Sequence, residues 1–141
     1  SMVICRGSKK SEFLSMNYIP KVLYLIVNDN EIREIEEFKF SNFSQLKLLD
    51  IKQNKIENIY LNSFFGLSNL NEINLHKNQL RFIKNYTFSA VKNVNKIILS
   101  SNLIELDEEG SFYDLNRLNE VDLSTNYLRV IKEHTFFGAR N

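Results

Sequence analysis

LKLLDIKQNKIENIYLNSFFGLSN (residues 46–69) is followed at once by LNEINLHKNQLRFIKNYTFSAVKN (residues 70–93), and the two align without a gap. Asn54 falls on Asn78 and Phe64 on Phe88, each 24 residues on. Extending the step both ways gives Asn30, Asn54, Asn78, Asn102 and Asn126, and Phe40, Phe64, Phe88, Phe112 and Phe136. Two five-rung ladders with one period define an internal repeat, and such a repeat points to a solenoid or array.

The apolar residues keep the same register. With each Asn at position nine, positions one, four and six read Val22, Leu25, Val27; Leu46, Leu49, Ile51; Leu70, Ile73, Leu75; Val94, Ile97, Leu99; and Leu118, Val121, Leu123. Position eleven is Ile32, Ile56, Leu80, Ile104 and Leu128. Position fourteen is Ile35, Ile59, Ile83 and Ile131, but Asp107 in repeat four, where Leu106 stands one place earlier and predicts a reshaped turn. Residues at positions four and six point the same way from a short strand, and successive strands stack in parallel about 4.8 Å apart. Where the chain turns away, backbone groups lose their ladder partners. An Asn amide offers donors and an acceptor together, so it can serve both its own turn and the neighbouring coil. The Phe fills the wedge between strand and return segment. One coil cannot bury its own apolar face, so both ladders are expected to be structural.

These residues resemble the leucine-rich repeat family, in its 24-residue class with an Asn ladder and a Phe spine. The resemblance implies a right-handed α/β repeat solenoid, a horseshoe fragment with a concave parallel β-sheet and mostly irregular convex segments. The expected organisation is a cap-like segment at 1–21 and five repeats at 22–45, 46–69, 70–93, 94–117 and 118–141. The family's N-terminal cap places a short strand ahead of repeat one. Here Val3-Ile4-Cys5-Arg6, Phe13-Leu14 and Tyr18-Ile19-Pro20 supply the apolar residues, with Cys5 as a lone thiol. Cys5 reads as buried, with a partner outside this stretch as the other reading. No C-terminal cap follows Phe136, so the solenoid is expected to continue, and Val121, Leu123, Leu128, Ile131 and Phe136 are expected to leave an apolar end that associates end to end.

Composition excludes several functions. Lys plus Arg is 18 against 17 Asp plus Glu, a balance that gives no bulk attraction to nucleic acid. Position twelve alternates Arg33, Glu57, Arg81, Glu105, Arg129, a mixed edge rather than a polyanion stripe. With one Cys and two His, neither a disulfide framework nor a zinc site is expected. Gly7, Gly66, Gly110 and Gly138 are isolated, so no phosphate loop is present, and no cofactor is implied. His76 and His134 fall in different coils; Ser100 stacks beside His76, with no enclosing pocket to make it a nucleophile. The chain therefore reads as non-enzymatic.

Binding is the reading that fits. Positions three, five, seven and eight face outward from the concave sheet: Tyr24, Leu48, Glu72, Lys96, Glu120; Ile26, Asp50, Asn74, Ile98, Asp122; Asn28, Lys52, His76, Ser100, Ser124; and Asp29, Gln53, Lys77, Ser101, Thr125. Tyr24, Ile26 and Leu48 are apolar where solvent is expected, and a charged surround makes them resemble an interface hot spot. The alternative is that the N-terminal cap folds over them. The candidate ligand face is Tyr24, Ile26, Leu48, Asp50, Lys52, His76, Lys96 and Asp122. A second candidate is the flanking edge of Phe82, Leu103, Leu106, Tyr127 and Val130, of which some, Leu106 above all, are alternatively core. Asn42-Phe43-Ser44 and Asn85-Tyr86-Thr87 are N-glycosylation sequons beyond the strand.

The resemblance to extracellular members, such as Toll-like receptors, Slit and small proteoglycans, implies a secreted or cell-surface ectodomain that binds a protein ligand or co-receptor. It leaves room for a membrane tether outside this stretch and for a role in innate immune signalling. The alternatives are an intracellular scaffold or the regulatory ectodomain of a larger enzyme.

Overall fold

Each coil spends three residues on a strand, enough to aim one aliphatic side chain inward and two side chains outward. In the computed structural model, which describes residues 1–5, 7, 21–105 and 108–139, the strands are β1 Met2–Ile4, β2 Tyr24–Ile26, β3 Glu34–Ile35, β4 Leu48–Asp50, β5 Asn58–Ile59, β6 Glu72–Asn74, β7 Lys96–Ile98 and β8 Glu120–Asp122. Six of them form one parallel sheet in the order β1-β2-β4-β6-β7-β8. The register is one coil per step: Leu25 pairs with Leu49, Leu49 with Ile73, Ile73 with Ile97 and Ile97 with Val121. This is a β-solenoid of stacked coils, with no helix among the described residues. The return side carries a second, two-stranded parallel sheet of β3 and β5, joining Ile35 to Ile59.

The interior is a continuous apolar column. Leu25, Leu49, Ile73 and Ile97 are fully buried, as are Ile56, Leu80 and Ile104 at position eleven. The turn after each strand passes through a left-handed residue at position eight: Asp29, Gln53, Lys77, Ser101 and Thr125 all have φ between 53° and 58°. None is glycine, so each carries a strain that the surrounding contacts must offset. Three of the internal Asn amides bridge consecutive coils in the same way. Asn78 Nδ2 donates to Leu75 O at 3.0 Å in its own coil and to Ile51 O at 3.2 Å in the coil before. Its Oδ1 accepts the Ile56 N–H at 3.1 Å. Asn102 repeats this with Leu99, Leu75 and Leu80, and Asn126 with Leu123, Leu99 and Ile104. Asn54 donates to Val27 O, Ile51 O and Lys52 O and accepts from Ile32 N–H. Each such amide satisfies backbone groups that would otherwise be buried unpaired at about 1–3 kcal/mol apiece.

On the opposite side the phenylalanines stack face to face. Phe40–Phe64, Phe64–Phe88, Phe88–Phe112 and Phe112–Phe136 have ring centroids 6.2, 5.5, 5.7 and 5.0 Å apart and are nearly parallel. A hydroxyl column lies beside them at position eighteen. Ser63 Oγ donates to Ile35 O at 2.6 Å, Ser111 Oγ to Ile83 O at 2.7 Å, and Thr87 Oγ1 to Lys84 O at 2.8 Å.

The N-terminal strand copies a repeat strand. Val3 pairs with Leu25, so Cys5 falls at position six, and Asn30 Nδ2 donates to Cys5 O at 3.0 Å as Asn54 does to Val27 O. Cys5 is a free thiol, half-buried, and burial raises its pKa. The expectations resting on Arg6, Phe13, Leu14, Tyr18, Ile19, Pro20, Leu106 and Asp107 lie outside the described residues. At the far end Val121, Leu123, Leu128 and Phe136 are half-buried, and Ile131, whose counterparts Ile35, Ile59 and Ile83 are buried, is 57% exposed.

Two outward expectations are corrected. Asn28 and Ser100, placed by the pattern on the open face, are buried. Each sits one coil before an aspartate at position five, Asp50 or Asp122, and turns toward that carboxylate.

Candidate ligand-binding face

The outward side of the six-stranded sheet divides into an apolar end and a polar end. At the apolar end, β1 adds Met2 and Ile4 beside Tyr24 and Ile26, and β4 adds Leu48. Met2, Ile4 and Tyr24 are exposed, at 58%, 50% and 42%; Ile26 and Leu48 are half-buried. Five apolar side chains on three hydrogen-bonded strands make one patch, of the kind that marks interaction sites when contiguous. The described part of the N-terminal segment lies beside Tyr24 as a strand and extends the patch.

The polar end is built on a recurring turn. Where position five is Asp or Asn, its side chain accepts the N–H of position seven: Asp50 from Lys52 at 3.3 Å, Asn74 from His76 at 3.0 Å and Asp122 from Ser124 at 3.0 Å. This is an Asx turn, a local bond that fixes where the strand ends. Asp50 also accepts from Asn28 Nδ2 at 3.0 Å and lies 3.6 Å from Lys52 Nζ. Between adjacent coils, His76 Nδ1 meets Ser100 Oγ at 2.9 Å. The Ser124 hydroxyl, 2.6 Å from Asp122, and the Ser124 N–H hold the Asp122 carboxyl below the usual carboxylate range, with smaller help from the Ser100 hydroxyl and the nearby His76 ring. Here the carboxylate meets the hydroxyls rather than the imidazole, so it does not orient His76 as a general base for Ser100. Lys96 Nζ pairs with Glu120 at 2.9 Å, and that bond raises the lysine pKa.

The structure thus brings His76 and Asp122 into one network through Ser100, keeps Asp50 and Lys52 in a second, and puts Tyr24, Ile26 and Leu48 in a third group. Asn42 and Asn85 lie away from the sheet, both exposed. Phe82, Tyr127 and Val130 on the flanking edge are exposed and Leu103 is half-buried. One aromatic row was not anticipated: Tyr86, Tyr113 and Phe137 pack in sequence on the outer side at 5.7 and 5.6 Å. Positions seventeen and twenty do not keep one residue type, so no column announced it.

A family model described as the BspA type leucine rich repeat region matches residues 18–141 in six copies. The chain belongs to this leucine-rich repeat family. A search of curated proteins finds no match. Among solved structures, this leucine-rich repeat chain is similar to one described as the crystal structure of a TLR13–ssRNA13 complex, with a TM-score of 0.78 and 26% sequence identity. The likeness covers 89% of this chain and 18% of that one, so the leucine-rich repeats seen here span less than a fifth of the length of that neighbour.

Proposed function

We propose that this chain is a non-catalytic binding module of a secreted or cell-surface protein, and that its concave face recognises a protein ligand or co-receptor. In this reading residues 1–21 cap the solenoid and residues 22–141 form five repeats of the 24-residue class found in Toll-like receptor and Slit ectodomains. The carrying observation is the patch of Met2, Ile4, Tyr24, Ile26 and Leu48, apolar and open on a sheet whose other outward residues are polar or charged except Ile98. Asp50, Lys52, His76, Lys96 and Asp122 supply the polar surround that orients a partner. Exposed Asn42 and Asn85 suit a glycoprotein whose glycans leave the sheet clear. Repeat five, with Ile131 exposed, suits end-to-end self-association.

Single-stranded nucleic acid is the second reading, because the TLR13 neighbour is a complex with ssRNA. Protein is preferred on local charge. Of the three concave lysines among the described residues, Lys52 and Lys96 are paired with Asp50 and Glu120, which leaves Lys77 alone where a backbone of phosphates would need a row of cations. A role in innate immune signalling belongs to the same proposal and rests on that likeness.

The test displays the domain as bait for secreted and surface proteins and compares it with Tyr24→Ala/Leu48→Ala. The expected result is a partner captured by the wild type and lost from the double variant, whose melting temperature stays close to wild type. A partner held equally by both would move the site away from the concave patch.

A further inference from the structure

Beside the sheet, the chain leaves the strands along an edge where positions ten and twelve of the last three repeats meet. Arg81, Glu105 and Arg129 occupy position twelve of successive coils, and Leu103 and Tyr127 occupy position ten of the last two. These five residues line an open groove of about 260 Å³. Its floor is ordered backbone: Leu103 N–H donates to Leu80 O at 2.9 Å, Glu105 N–H to Arg81 O at 3.1 Å, and Tyr127 N–H to Ile104 O at 3.0 Å. Coils stepped by hydrogen-bonded backbone place the two arginine positions roughly 10 Å apart, on either side of Glu105.

The alternating signs at position twelve invite pairing along the ladder, yet the structure makes none there. Among the described residues Arg81, Glu105 and Arg129 form no ion pair, although Lys96–Glu120 on the sheet and Lys92–Asp114 on the outer side both do. Two guanidinium groups are therefore unspent in a groove whose other walls are a half-buried leucine and a tyrosine exposed at 64%. On its far side Tyr127 also walls a second open groove, with Ser101 and Thr125 among its lining.

We infer that this edge is a docking site for an acidic peptide segment of a partner protein. Carboxylate side chains pair with Arg81 and with Arg129 on the sides away from Glu105, an apolar side chain lies against Leu103 and Tyr127, and the peptide backbone runs on past Tyr127. Two arginines against one glutamate leave the groove one positive charge, and the guanidinium fork matches a carboxylate. Arginine and tyrosine are also the residue types that most often dominate an interface. Glu105 selects against a polyanion, because a charge at every backbone step would set one phosphate against it. A peptide can meet Glu105 with an N–H or a hydroxyl instead.

The probe is a fluorescein-labelled decapeptide with two glutamates, one on either side of a serine–leucine pair, in a glycine–serine background, a spacing of about 10 Å when extended, followed by fluorescence anisotropy at low salt. Its controls are the same peptide with glutamine for glutamate and a ten-uridine RNA. The expected result is saturable binding of the glutamate peptide, about tenfold weaker binding of the glutamine peptide, and at least about a tenfold loss in Arg81→Ala/Arg129→Ala. Tyr127→Ala loses several-fold, and Tyr24→Ala/Leu48→Ala binds as the wild type, so this groove and the concave patch fail separately. Should the double arginine variant melt early, Arg81→Gln alone is expected to show a severalfold loss. The inference is overturned if the glutamate peptide does not bind, if the glutamine peptide binds as well, if binding survives loss of both arginines, or if the RNA binds more tightly than the peptide.

Discussion

Leu48 and Leu49 are neighbours on one strand and obey different rules. Leu49 is fully buried, paired with Leu25 and Ile73, and every coil puts an aliphatic residue in its place. Leu48 faces outward, half-buried, in a column that runs Met2, Tyr24, Leu48, Glu72, Lys96 and Glu120. The inward side of the sheet must match its neighbours at about 4.8 Å, so its chemistry repeats. The outward side answers only to water or a partner, so its chemistry is free to vary. Periodic columns therefore report stability, and departures from period on the outward side report binding.

The largest effects should come from cutting the inward columns where they are flanked on both sides. Phe88 stacks on Phe64 and on Phe112, whereas Phe136, among the described residues, stacks on Phe112 alone and is only half-buried. Phe88→Ala should cost about 3–5 kcal/mol and Phe136→Ala about half of that or less, by urea unfolding. Equal losses would mean that stacking between coils is not what stabilises the column.

The smallest effect belongs to the outward polar network. The Ser124 hydroxyl and N–H hold the Asp122 pKa down, so Asp122 contributes stability above its unfolded value, and this is lost as pH falls through its folded value. Ser124→Ala should move the Asp122 titration, followed by NMR of the carboxyl carbon, up toward the ordinary carboxylate value of 3.8. The acid limb of stability should move up with it. An unmoved titration would show that the network does not act on this carboxylate.

The fold was legible because its determinants repeat. The Asn30 to Asn126 and Phe40 to Phe136 ladders by themselves define the coil length and the strand register. Less visible were features without a fixed residue type. The left-handed turn at position eight is made by Asp29, Gln53, Lys77, Ser101 and Thr125, five different side chains, because the backbone rather than the side chain is what the turn requires. The pairing of β3 with β5 uses only two residues per strand, Glu34–Ile35 and Asn58–Ile59, too few to show alternation. Burial of Asn28 and Ser100 depended on an aspartate one coil away, a relation between columns rather than within one. The apolar patch was half legible: Tyr24, Ile26 and Leu48 stood out in the repeat register, while Met2 and Ile4 joined only once β1 was seen to pair with β2.

The division between inward and outward columns is tested most directly by urea unfolding of Asn78→Leu beside Tyr24→Ala/Leu48→Ala. The Asn78 amide serves Leu75 O, Ile51 O and Ile56 N–H, three buried backbone groups in two coils. Its loss should cost about 3 kcal/mol or more, while the two outward truncations together cost about 1 kcal/mol or less. An Asn78→Leu variant with the wild-type midpoint, or a surface double variant destabilised as much, would contradict the account.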